Sequence, residues 1–258
     1  MAPVTSSGPL MLAAGNLDGT PTSWLEENWM FFSWAFALFG LGVLVTKPLL
    51  RDPYWQGWLA FVAYCFHQSE EHAYDFRGWR YSFVPSMDDG FGQAFFGAAC
   101  PASSGSAIGC PVDPKQAMYI NTVAIWIGFG GCMVLATFHP DRFLFAGSLN
   151  WGTAVINGLF GHLVMVVVAR AYNPGCVQSA IMVPLGLYII WGSARPWLCL
   201  ANGLLFHVLA FGVGINVVLR GHAPEEAAIL FNAVAALVIP LAISWCVAHP
   251  RGSYKRLT

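Results

Sequence analysis

Charged side chains are scarce in this chain. Only 10% of its 258 residues are Asp, Glu, Lys or Arg, against about 25% in an ordinary soluble domain. That shortage excludes an ordinary water-facing surface over this length. The net charge of −1 removes the basic footprint that nucleic acid requires, so no nucleic-acid partner is expected. Residues 1–24 lack a basic n-region, and their one apolar piece, Pro9 to Ala14, is short. They read as an exposed leader rather than a signal peptide. The seven cysteines form no CxxC or CxxH pattern, which excludes the common zinc modules. No low-complexity tail is present.

What fills the chain instead is apolar. Hydrophobic residues make up 57% and aromatic residues 15%, and the mean hydropathy is +0.58. A spanning helix needs about 20 mostly apolar residues. Seven candidate segments meet or approach that length, at 28–46, 55–74, 117–138, 143–169, 177–193, 197–219 and 226–247. The expected fold is all-α, a polytopic transmembrane helical bundle of about seven spans. The expected division is an exposed leader at 1–27, a transmembrane domain at 28–247 with a polar loop at 76–115, and a short basic tail at 248–258.

Seven spans put Lys47, Arg51, Arg142, Arg195, Arg251, Lys255 and Arg256 on one side, and Arg77, Arg80, Lys115, Arg170 and Arg220 on the other. The positive-inside rule then favours a cytoplasmic C-terminus and an outer or lumenal 76–115 loop. That loop holds Cys100 and Cys110, which are either a disulfide of an oxidising compartment or two unrelated thiols. Trp24, Trp29, Trp55, Trp58, Trp79 and Trp126 lie near segment ends and read as interface anchors.

Polar chemistry concentrates at the end of the second segment, where His67, Glu70, Glu71, His72 and Asp75 follow an apolar run. On a helix turning about 100° per residue, His67, Glu70 and Glu71 share one arc, with Tyr64 and Asp75 at its edge and His72 about 140° from His67. Two adjacent carboxylates in a membrane segment are costly unless they have a partner, and they mark a functional site by default. Segment four carries Asn157-Gly158-Leu159-Phe160-Gly161-His162 and segment six carries Asn202-Gly203-Leu204-Leu205-Phe206-His207, a faint internal repeat. Each glycine lies four residues before its histidine, on the same face, leaving room for a ligand or a close helix crossing. Each asparagine lies five before, about 140° round a regular helix, and reads as a supporting hydrogen-bond partner.

His67, Glu70, Glu71, His162 and His207 therefore make up the expected metal-binding set, with His67, Glu70 and Glu71 also as catalytic candidates. Histidine with carboxylate suits a divalent metal such as iron or zinc. The metal-free alternative uses the glutamates as acid and base with histidine as relay, in an isomerase or cyclase. A third reading is a proton- or ion-coupled transporter with the same residues as a relay.

His67-Gln68-Ser69-Glu70-Glu71 is an HxxEE motif and Tyr172-Asn173-Pro174-Gly175 a YxPG motif, with a histidine-bearing helix just before the second. Together with the seven-span layout, these resemble the HXXEE-domain family of integral membrane proteins over about residues 28–247. The resemblance implies an all-helical membrane protein with polar residues gathered in a site, and it brings no reaction with it. The expectation is an enzyme of the membrane, either an oxidoreductase or a hydrolase. Its substrate would be lipophilic: a lipid, terpenoid or other secondary metabolite.

Overall fold

The computed structural model describes residues 23–46, 51–80, 82–86, 114–215, 217, 223–224 and 226–247. The Cys100–Cys110 pair, most of the leader, the basic tail and residues 218–222 lie outside the described residues. Among the described residues the chain is all helical.

Helix α1 is Trp24–Thr46. Helix α2 is Pro53–Gln68 and continues as a wide turn, Ser69–Ala73. A short helix, α3, is Phe83–Ser86. Then follow α4, Pro114–Phe138; α5, Pro140–Ala169; α6, Cys176–Gly192; α7, Pro196–Ile215; and α8, Ala227–Val247. The starts follow local chemistry. Asp52 caps α2, its carboxylate accepting from the Tyr54 N–H at 2.9 Å, with Pro53 in the first turn. Pro140 and Pro196 likewise open α5 and α7, where the missing N–H costs nothing. Arg170, at φ 51°, closes α5 in a left-handed conformation.

Five of these helices, α1, α4, α5, α7 and α8, are long and apolar enough to cross a membrane. Helix α6 is apolar but has 17 residues, and α2 ends in the charged wide turn. The expected count of seven spans is thus met by these criteria only as five.

Helix α5 runs through the middle, packed against α2, α4, α6, α7 and α8. Every residue from Phe145 to Val155 is buried. Small residues make this possible: a side chain at Gly203 of α7 would run into the Gly152 carbonyl of α5. The glycine before His207 therefore serves a close helix crossing. Trp29 and Trp58, expected at the membrane interface, are instead in the core at 0% and 3% exposure. Trp29 packs on His72, with ring centroids 5.0 Å apart.

Candidate functional site

The site forms where the end of α2 meets the middle of α5. His67 Nε2 and His162 Nε2 are 3.1 Å apart. Glu71 Oε1 lies 3.1 Å from His162 Nε2 and 3.4 Å from His67 Nε2. All three residues are buried, none more than 3% exposed. They form a group able to hold a metal ion. Its donor types, two imidazoles and a carboxylate, are those that zinc and iron take.

The two expected outlying members sit elsewhere. Glu70 turns away from the group. It accepts from Tyr172 Oη at 2.8 Å, from the Val177 N–H at 3.1 Å and from the Gln178 N–H at 2.9 Å. These N–H groups are the open start of α6, whose own cap residue, Gly175, supplies no side chain. Glu70 caps α6 from α2, with its charge at the favourable end of the helix dipole. His207 stops short of the group as well. Its Nδ1 lies 2.7 Å from the Gly203 carbonyl and its Nε2 3.3 Å from Asn157 Oδ1.

Two residues that regular helix geometry sets aside belong to the site. Ser69–Ala73 is a wide turn in which the Tyr74 N–H donates to the Ser69 carbonyl, five residues back. This phase brings His72 beside Glu71, with Nε2 3.6 Å from Oε2. Asn157–Leu163 is a second wide turn. It brings together residues five apart, so Asn157 Nδ2 lies 3.3 Å from both His162 Nε2 and His67 Nε2. Such insertions recur at functional sites.

The YxPG turn closes over the histidines. Asn173 Oδ1 accepts from His162 Nδ1 at 2.7 Å. Nδ1 therefore carries a hydrogen, and Nε2 faces Glu71 and His67, as a lone pair in the neutral ring and as an N–H donating to the Glu71 carboxylate in the charged one. Gly175 has φ 92°, and a Cβ there would lie 2.6 Å from His162 Cε1 and 2.7 Å from His67 Cε1. Tyr172 joins the turn to Glu70, and the burial of its phenol, then that hydrogen bond, push its pKa up. The two motifs are parts of one assembly. A family model described as a protein of unknown function with HXXEE motif matches residues 58–189, just over half of the chain.

The chain belongs to the HXXEE family. Searches of curated proteins and of solved structures found no match to it. In this HXXEE protein the letters of the motif separate into roles: His67 and Glu71 turn into the site, Glu70 braces α6, and Gln68 braces α1 and α4. Gln68 Oε1 accepts from Ser33 Oγ at 2.6 Å, and its amide donates to the Asn121 carbonyl at 3.1 Å. Asn121 Nδ2 in turn lies 3.1 Å from His72 Nε2.

A cavity adjoins Glu71 and Asn157. It offers about 20 Å³ to the centres of water-sized molecules, enough for about one water. Its walls are mostly apolar, including Phe83, Ile120, Ile125, Phe206 and Phe211, with Tyr64 and Asn121 as polar points. Phe83 also lies against the His72 ring at 5.1 Å and the His162 ring at 5.9 Å.

Proposed function

We propose that this chain is a membrane-embedded, metal-dependent enzyme acting on a lipophilic small molecule, with His67, Glu71 and His162 holding one divalent metal. One observation carries the reading: three acceptor atoms from two helices converge at 3.1–3.4 Å in a buried place. Lone pairs gathered this closely repel unless a metal ion or a shared proton lies among them. The separations also suit ligation. Donors about 2.1 Å from a metal lie about 3.0 Å apart at right angles and about 3.4 Å apart in a tetrahedron.

Two histidines and a carboxylate are the donor set both of non-haem iron enzymes that use oxygen and of zinc hydrolases, so the reaction is an oxidation or a hydrolysis according to which metal is bound. A metal held there supplies a Lewis-acidic centre beside the cavity, redox-active if it is iron. The protein's own contribution is clear from its groups. The cavity has room for about one water, so an apolar substrate enters only as its apolar walls, Phe83 and Phe211 among them, move apart, and Phe83 and the YxPG turn limit water. With Oε1 on the metal, Glu71 Oε2 faces His72 Nε2 at 3.6 Å.

The second reading is metal-free acid–base catalysis. It is favoured by the Glu71–His162 contact, whose 3.1 Å is also a hydrogen-bond length. Metal analysis of the purified protein separates the two. The metal reading expects about one ion per chain, lost in H67A, E71A and H162A; less than about a tenth of an ion per chain in the wild type would sink it.

A further inference from the structure

The Asn157 amide stands between His207 on one side and the His67–His162 pair on the other. His207 Nδ1 lies 2.7 Å from the Gly203 carbonyl oxygen. A carbonyl only accepts, so Nδ1 carries the hydrogen and Nε2 of the neutral ring is a lone pair. That lone pair faces the amide at 3.3 Å. An amide oxygen there sets acceptor against acceptor, whereas an amide nitrogen donates. The two ends exchange by a half-turn of the amide at the same shape; with a metal on the His67 and His162 Nε2 lone pairs, these no longer accept from the amide nitrogen, and the His207 contact decides between the two ends. A charged His207 would be the other remedy, but the carboxylate contacts of the site's histidines belong to His67, His72 and His162.

We propose that Asn157 turns its nitrogen to His207 and its oxygen inward, as a fourth donor to the metal site, and that His207 is the positioning residue that sets this orientation. The inference rests on the metal reading above. The inward amide atom is 3.3 Å from each histidine Nε2. The three proposed donors are 3.1, 3.1 and 3.4 Å from one another. The amide atom therefore occupies a further corner of the same cluster. A neutral oxygen completes two imidazoles and a carboxylate with no added charge to bury. The arrangement also gives the half-buried His207 a role at one remove. Its ring stacks on Phe211, with centroids 5.6 Å apart and planes within 11°, which fixes the direction of Nε2.

The test uses the full chain in detergent, loaded with cobalt(II), reading affinity by chelator competition and the visible absorption of the bound ion. Asn157→Leu is expected to weaken binding about tenfold or more and to shift the absorption; Asn157→Asp, which keeps an oxygen, is expected to bind at least as tightly as the wild type. His207→Phe is expected to weaken binding about tenfold, with little further loss when added to Asn157→Leu. If Asn157→Leu and His207→Phe match the wild type in affinity and absorption, the fourth donor is refuted while the three-donor site stands. Weakening in Asn157→Asp equal to that in Asn157→Leu also refutes it, since the amide would then be needed as a donor of hydrogen. A wild type that binds no cobalt refutes the metal reading itself. Should Asn157→Leu fail gel filtration, the isosteric Asp variant and His207→Phe decide the matter.

Discussion

Glu70 and Glu71 are neighbours in sequence with opposite tasks. Glu71 faces two histidines, and Glu70 accepts one hydroxyl and two backbone N–H groups at the start of α6. Removing Glu70 orphans all three donors, and a hydrogen bond to a charged group contributes about 1.5–3 kcal/mol. Glu70→Ala is expected to destabilise the protein by about 2–3 kcal/mol, seen as a lower melting temperature in detergent, with metal content kept. Glu71→Gln is expected to lose the metal with a smaller effect on melting of the metal-free protein. Equal loss of metal in both would show that the roles are not divided this way. Asp75 makes a pH prediction. Burial alone would raise its carboxyl, but the N–H groups of Trp79 and Arg77 and the Arg77 guanidinium at 2.7 Å bring it below its ordinary value of 3.8. A depressed folded pKa adds stability that is complete above the unfolded value and lost as pH falls through the folded one. Melting temperature should therefore drop below about pH 4, and Asp75→Asn should flatten that acid limb.

At the scale of elements, the site depends on two wide turns and one glycine. Gly175 is held at φ 92° with two histidine rings against the place of its missing side chain. Gly175→Ala combines an unfavourable backbone conformation with contacts closer than carbon atoms tolerate, and it should cost about 1–3 kcal/mol and displace both rings. Loss of bound metal with the helical circular dichroism retained is the expected signature, and an unchanged metal affinity would show that the turn does not support the rings. The same elements explain what could be read in advance. The helical segments were legible because long apolar runs between proline and charge need no tertiary information. His67, Glu71 and His162 were legible because polar atoms in apolar helices are conspicuous. His72 was not, because it is five residues from His67 and only a wide turn brings such residues together; Asn157 was legible as a supporting hydrogen-bond partner, which its contacts with His67, His162 and His207 bear out, but not as sharing the face of His162. No periodicity in the residues themselves announces that turn. Glu70 was misplaced for a different reason. Its partners, the N–H groups of Val177 and Gln178, are backbone atoms more than a hundred residues away, and backbone donors leave no mark in a side-chain pattern. Asn173 and Gly175 stood inside the YxPG motif, but their task appears only once α6 lies beside α2.

The whole molecule poses the question of how many helices cross. Five do so by length and apolarity. Helix α2 has 16 residues followed by a wide turn of five, about 30 Å of rise, close to the thickness of the hydrocarbon core. Helix α6 has 17 residues, about 25 Å, at the short end of the spanning range. Both are packed in the bundle, α2 on α1 and α5, and α6 on α5. Crossing by both makes seven spans and puts the His67–Glu71–His162 site nearer the face of the 76–115 loop. Three reporters resolve the matter, one within residues 1–22, one within 87–113 and one within 248–258. Seven crossings place the first two on the same face and the third opposite, with the basic tail in the cytoplasm. If α2 does not cross, the first two reporters separate. If α6 does not cross, the second and third fall on the same face. If neither crosses, the five-span case, the first two separate and the second and third share a face. Protease protection of epitope tags in sealed vesicles of both orientations distinguishes all four patterns, and the seven-span pattern with a cytoplasmic tail opens the site to the non-cytoplasmic side.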